Sequence, residues 1–194
     1  AACAGWQRSH YGWDVDPSII RVVPDVLEAY EIFLRELVGA GNSVIVPTPA
    51  YMPFLSVPKL YDVDVIEIEM LQSGDAETGE AQWVFDFDAI ERAFAAGCHA
   101  FVLCNPHNPI GKVLTLEEEL RLSDLAAQYD VRIFNDEIHA PFVFEGKHIP
   151  FPTISEQAAL QSMTATSASK SFNIPGTKCA QVLLTNPADR DMWA

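Results

Sequence analysis

Basic residues are scarce in this sequence: 12 lysines and arginines stand against 27 aspartates and glutamates, a formal net charge of −15 at pH 7. So acidic a surface repels nucleic acid and anionic membrane, and an anionic ligand must find a local cluster of the few cations. No apolar run approaches the roughly 20 residues of a membrane span, and no signal peptide opens the chain. The four cysteines, Cys3, Cys98, Cys104 and Cys179, lack metal-like pairing, which fits free thiols in a reducing cytoplasm. Internal repeats and low-complexity linkers are also missing, so the 194 residues read as one domain. With 49% hydrophobic residues that domain has ample material for a core.

The patterning alternates strands with helices. Asp25, with Glu28 three residues on, caps a helix whose apolar positions are Val26, Tyr30, Phe33, Leu34 and Leu37, and Gly39 and Gly41 end it. Asp86 caps a second, with Phe87, Ile90 and Phe94 on one face and Gly97 as its stop. Thr115 and Glu118 form a capping box ahead of Leu122, Leu125, Ala126 and Tyr129. Strands are expected at Ser43–Val46, where Pro47-Thr48-Pro49 stops the run, and at Val63–Ile68, Ala100–Leu103, Val131–Phe134, Ser162–Thr166 and Gln181–Leu184. Leu71 to Glu80 is polar and reads as a loop, and Ala1 to Trp13 shows neither a cap nor a strand pattern. Apolar strands interleaved with helices predict a three-layer α/β/α fold around a mostly parallel mixed sheet.

In open sheets of this kind ligands collect at the carboxyl ends of strands. Three polar clusters fall at such ends: Asn105 to Gly111, Asn135 to His139, and Ser167 to Lys178. Asp136-Glu137 resembles the metal-holding strand end of a nucleotide triphosphatase, but that chemistry needs a glycine-rich loop ending Gly-Lys-Ser/Thr. Gly111-Lys112-Val113 and Gly146-Lys147-His148 both fail the pattern. A strand-end aspartate is otherwise suited to pair with a cationic ring nitrogen. Lys170, in Ser167-Ala168-Ser169-Lys170-Ser171-Phe172-Asn173, is either a solvated loop residue or an amine used covalently with an aldehyde. Lys178 and the serines could then hold a phosphate.

Four motifs in register resemble a known family. Asn105-Pro106-His107-Asn108-Pro109-Ile110-Gly111, Asp136-Glu137-Ile138-His139, Ser167 through Gly176, and Pro49-Ala50-Tyr51 with Pro53-Phe54 are similar to the pyridoxal-phosphate enzymes of the aspartate-aminotransferase fold. The form of the second and third motifs, with His10-Tyr11-Gly12-Trp13, points to the MalY/PatB-like cystathionine β-lyase (C–S lyase) branch. The resemblance implies that Lys170 holds pyridoxal 5′-phosphate as a Schiff base and then acts as the base at the substrate Cα. It implies that Asp136 keeps the pyridine nitrogen protonated and that Asn108 bonds the phenolic oxygen, with His139 beside it. Tyr51 would stack on the ring. Ser167 and Lys178 would bind the phosphate, helped by backbone amides near Val22 and Val23 at the start of the Asp25 helix. Arg21 stands where the branch often has glycine, so its side chain joins the phosphate site or the backbone cradle differs. His107 reads as a turn residue, and the five histidines have no metal-binding spacing.

The family runs to about twice this length, so the chain corresponds to its large cofactor-binding domain, residues 1–194, without the N-terminal arm or the C-terminal small domain. The resemblance implies an amino-acid substrate, a homodimer and a cytoplasmic location. The leading activity is β-elimination of a sulfur amino acid such as cystathionine. Transamination on the same fold, or a cofactor-binding fragment without turnover, are the competing readings.

Overall fold

The computed structural model describes residues 1–74 and 82–193. In its first half the chain forms helix α1 (Ala2–Tyr11), strand β1 (Ile20–Val23), α2 (Val26–Phe33), β2 (Ser43–Thr48), α3 (Met52–Ser56), β3 (Asp64–Glu69), β4 (Leu71–Ser73), β5 (Gln82–Val84) and α4 (Phe87–Ala95). The second half adds β6 (Ala100–Cys104), α5 (Leu116–Gln128), β7 (Arg132–Asp136), α6 (Glu156–Gln161), β8 (Ser162–Thr166), β9 (Ala180–Leu183) and α7 (Pro187–Met192). Seven strands join one sheet in the order β1-β9-β8-β7-β6-β2-β3. Strands β2, β3, β6, β7 and β8 run parallel, and β9 is antiparallel to both of its neighbours. No helix among the described residues is long and apolar enough to cross a membrane.

The apolar strands are unbroken because both sheet faces are covered. Side chains alternate along a strand, so Val44, Val46, Val102, Cys104 and Phe134 enter one core with Ala29, Tyr30 and Phe33 of α2. Their neighbours Ile45, Phe101, Leu103 and Ile133 enter the other, with Ile90 and Phe94 of α4 and Leu122 and Ala126 of α5. Phe134 lies 5.0 Å and 5.6 Å, centroid to centroid, from Tyr30 and Phe33. This is the expected three-layer arrangement around a mostly parallel mixed sheet.

The predicted caps form. Asp25 Oδ1 accepts from the Glu28 amide at 2.9 Å, Asp86 Oδ1 from the Ala89 amide at 2.9 Å, and Thr115 and Glu118 make both halves of a capping box. Past Phe33, α2 widens into a π-helical turn, Leu34–Val38, which Gly39 ends at φ 80°.

Four segments differ from the sequence reading. Ala1 to Trp13, where the sequence shows neither a cap nor a strand pattern, holds α1. Only Ala4 and Gln7 of that helix are buried and no side chain caps its start, so neither an apolar stripe nor a cap marks it. Residues Ile20–Val23, of which Val22 and Val23 are expected at the start of the Asp25 helix, form an edge strand paired with β9. Strand β2 continues through Pro47 to Thr48, alongside β3. Within the expected Leu71–Glu80 loop, Leu71–Ser73 pairs with Gln82–Val84 as a short hairpin, while Asp75 to Glu80 lie outside the described residues.

One ion pair anchors the end of the chain to the sheet. Arg132 Nη1 and Nη2 meet Asp189 Oδ1 and Oδ2 at 3.0 Å and 2.6 Å, and Asp189 is 1% exposed. This two-point contact ties α7 to the start of β7. Removing one member leaves the other's charge in a mostly dry setting. Asp189→Ala is expected to destabilise the fold by about 3 kcal/mol, read by chemical denaturation, with Asp189→Asn losing less because one acceptor survives.

Candidate functional site

Parallel pairing sets three strand ends level with one another. Cys104 of β6 stands beside Asp136 of β7, and Asp136 beside Ala165 of β8. The loops that leave these ends therefore emerge together, and they enclose a cavity of about 240 Å³. Seven of the nine residues expected at the site line it: Tyr51, Asn108, Asp136, His139, Ser167, Lys170 and Lys178.

Asp136 closes β7 and is 5% exposed. Its Oδ1 accepts from the Ile138 amide at 2.9 Å, which turns the chain away from the sheet. Burial pushes its carboxyl up to about 7, the negative charge of Glu137 adds to the rise, and the Lys170 ammonium works against it. A buried carboxyl held so high lacks a sufficient counter-charge. His139, half-buried, is displaced downward by burial and by the Lys170 charge, so it is neutral near pH 7.

The third loop is self-braced. Ser167 Oγ donates to the Cys179 carbonyl at 2.8 Å and accepts from the Ser169 amide at 3.0 Å, which joins the loop's start to its end. Between them the chain coils tightly around Lys170, with the Asn173 amide donating to the Lys170 carbonyl at 3.1 Å. Asn173 and Lys178 both take left-handed backbone, at φ 53° and 47°. For Lys178 that conformation is unfavourable, and it accompanies an ion pair from Lys178 Nζ to Asp25 Oδ2 at 2.9 Å. The Lys178 contact draws the Asp25 carboxyl below its usual range.

The loop after β6 is tied to the segment that follows β2. His107 is buried, and its Nε2 lies 2.8 Å from the Pro49 carbonyl. Burial lowers its basicity, and a carbonyl only accepts, so Nε2 carries the proton. This bond joins the segment bearing Asn108 to the one bearing Tyr51. Far from being only a turn residue, His107 braces the site. Tyr51 is 37% exposed over the cavity and sits edge-on to Phe54 at 5.6 Å.

Val22 and Val23 lie apart from this cavity. Both belong to β1, paired with Gln181 and Ala180, and neither lines the cavity. Val22 is exposed and lines a separate cavity with Ser167, Ser171 and Phe172. The backbone that does reach the cavity from this direction is Pro24 to Leu27, the cap and first turn of α2. Arg21 is also outside, with Nη1 donating to the Ser18 carbonyl at 2.7 Å. Asp25 and Ser169 line the cavity and were not expected there. Asp25 was read as a cap alone, although a capping aspartate has a second oxygen free to face a ligand or a lysine. Ser169, two residues from Ser167 in the Ser-Ala-Ser-Lys string, repeats the hydroxyl and was the available signal.

With this geometry in view, the comparisons with known proteins are direct. The family model described as "Aminotransferase class I and II" matches residues 2–191, and the chain belongs to that family. Within it, the chain is 38% identical over 192 residues to the cystathionine beta-lyase of Corynebacterium glutamicum, covering 99% of this chain and 49% of that protein. It is 30% identical to cystathionine beta-lyase PatB of Bacillus subtilis, over 97% of this chain and 48% of that one. The crystal structure of a putative PLP-dependent beta-cystathionase from Corynebacterium diphtheriae superposes with a TM-score of 0.89 at 38% identity, over 99% of this chain and 48% of that one. The chain thus spans about half the length of the curated relatives it matches.

The electrostatics of Asp136 are measurable without any ligand. Its carboxyl binds a proton more tightly in the folded state, about 7 against the ordinary 3.8, so it lowers stability progressively as pH rises between those values. NMR of carboxyl-labelled aspartate is expected to show one group titrating near pH 7, and Asp136→Asn to remove it. A midpoint near 4 would contradict the assignment.

Proposed function

We propose that this chain is the pyridoxal-phosphate-binding half of a C–S lyase that eliminates the thiol from cystathionine or a related sulfur amino acid. The carrying observation is that Lys170 and the buried Asp136 line one cavity, with Asp136 held near 7 for want of a counter-charge. A protonated pyridine nitrogen is the cation such a carboxyl lacks, and an aldehyde is a partner that a lysine amine at a cavity takes covalently. The names of the relatives in both Corynebacterium species support the same substrate class.

On this reading the residues divide the work. When bound, the cofactor supplies an electron sink for the pair left at the substrate Cα. Asp136 holds the proton on the ring nitrogen, and in doing so its own carboxyl falls back toward the usual range. Asn108 donates to the phenolic oxygen, with neutral His139 alongside, and Tyr51 packs against a ring face. Lys178 and the Ser169 hydroxyl would hold the phosphate, while Ser167, its own proton given to the Cys179 carbonyl, would brace the loop that presents them. The amides of Val26 and Leu27, in the first turn of α2, replace those of Val22 and Val23 as backbone donors. Lys170 Nζ takes the proton from the substrate Cα. The thiol then leaves from Cβ, and addition of water yields pyruvate and ammonia.

The description of the matching family favours transamination as the second reading. It uses the same residues up to proton removal and differs in where the proton is returned. Turnover belongs to the full-length protein, since the relatives are about twice as long. We place the protein in the cytoplasm, consistent with four free cysteines among the described residues. We take it to be a homodimer, with exposed Val22, Phe172 and Ile174 beside the Lys170 loop offering apolar surface.

Full-length protein incubated with cystathionine is expected to release thiol and pyruvate without any added 2-oxo acid. Lys170→Ala is expected to lower that rate by roughly 10²–10⁴-fold. A strict requirement for a 2-oxo acid acceptor would move the assignment to transamination.

A further inference from the structure

One buried carboxyl has no part in the chemistry above. Glu119, in the first turn of α5, is fully buried, and its Oε1 accepts from Asn105 Nδ2 at 2.6 Å. Asn105 is itself a junction at the end of β6. Its amide donates to the Asp136 carbonyl at 3.0 Å, and its Oδ1 accepts from the Leu114 amide at 3.1 Å. That last bond closes the base of the loop from Asn105 to Leu114. Inside the base, the His107 amide donates to the Lys112 carbonyl at 2.7 Å and the Gly111 amide to the His107 carbonyl at 2.8 Å. Asn108 stands at the tip.

We propose that Glu119 is a positioning residue: through Asn105 it clamps the base of this loop and so holds Asn108 toward the cofactor cavity. The role rests on the pyridoxal-phosphate reading of that cavity.

The chemistry of the pocket selects the neutral acid. Glu137, following β7, and Glu118, on the same helix, face Glu119 with like charge. The nearby lysine is engaged elsewhere, with Lys112 Nζ 2.8 Å from Glu118, and the His148 ring faces Glu137, with Nε2 at 3.3 Å. Burial first, and then the Glu137 charge, push Glu119 up to about 8, while the Asn105 bond opposes the rise. A neutral carboxylic acid still offers its carbonyl oxygen to Asn105 and brings no unpaired charge under the site. Because the folded chain keeps a proton that the unfolded chain releases above about 4.5, Glu119 lowers stability as pH rises from there to about 8.

The test uses full-length protein, titrated with pyridoxal 5′-phosphate and followed by the visible absorbance of the bound cofactor. Melting temperatures without cofactor are taken in parallel. Glu119→Leu keeps the bulk and removes the acceptor. It is expected to weaken cofactor binding about tenfold and to shift the visible band. Glu119→Gln keeps the acceptor and is expected to restore both to wild-type values. Without cofactor, the wild-type melting temperature should fall relative to Glu119→Gln as pH rises from about 5 to 8. Unchanged affinity and spectrum in Glu119→Leu would overturn the proposal, as would weak binding in a stable Glu119→Gln. Parallel pH profiles of wild type and Glu119→Gln would overturn it too. Should Glu119→Leu fail to fold, the Glu119→Gln comparisons decide. A wild type without any cofactor band would instead count against the proposed function, and the cofactor-free pH comparison would still judge Glu119.

Discussion

The main-chain register of β6, β7 and β8 is the constraint on which the rest of the structure depends. Parallel hydrogen bonding places Cys104, Asp136 and Ala165 abreast, so three loops far apart in sequence begin from one line. A slip of one residue in β7 would turn the Asp136 side chain to the opposite sheet face. The two apolar cores prevent such a slip, because Ile133 and Phe134 are each committed to a different face. Register is thus specified by packing on both sides of the sheet, and the polar edge inherits that precision.

Around this edge the protein tolerates several locally unfavourable arrangements. Asp136 and Glu119 are carboxyls displaced upward by burial, and Lys178 holds left-handed backbone. Each is individually destabilising, and the large apolar interior offsets them. Sites where local preference and global fold disagree are where function is expected to lie, and here the disagreements gather at one end of the sheet.

Much of this was legible in the sequence because the signals were local. Asp25, Asp86 and Thr115 with Glu118 announced their helices, since a cap is a contact between residues three apart. The loops at Asn105–Gly111 and Ser167–Lys178 were marked by proline, asparagine and serine following apolar strands. The strand at Val22 and Val23 was not legible because an edge strand one turn before a helix has the same apolar pair as a helix lead-in. Helix α1 was silent because so little of it is buried. The reversed direction of β9 leaves no compositional trace when both faces are covered. Glu119 lay in a run of three glutamates that reads as a solvated first turn. Yet it stands three residues before Leu122 and seven before Ala126, on the apolar face, and periodicity alone could have placed it inside.

Asp25 closes the first turn of α2 with one oxygen and holds Lys178 with the other. Lys178 is therefore aimed before any anion arrives, and the aspartate acts as a placeholder for it. On the proposed function, an arriving phosphate would not have to create a cation site; it would exchange with a resident carboxylate. That exchange would free one oxygen of Asp25 while the other stays bonded to the Glu28 amide, so the helix would not need to fray as the ligand enters. Arrival and departure of the anion would then be separated from the folding of the element that receives it.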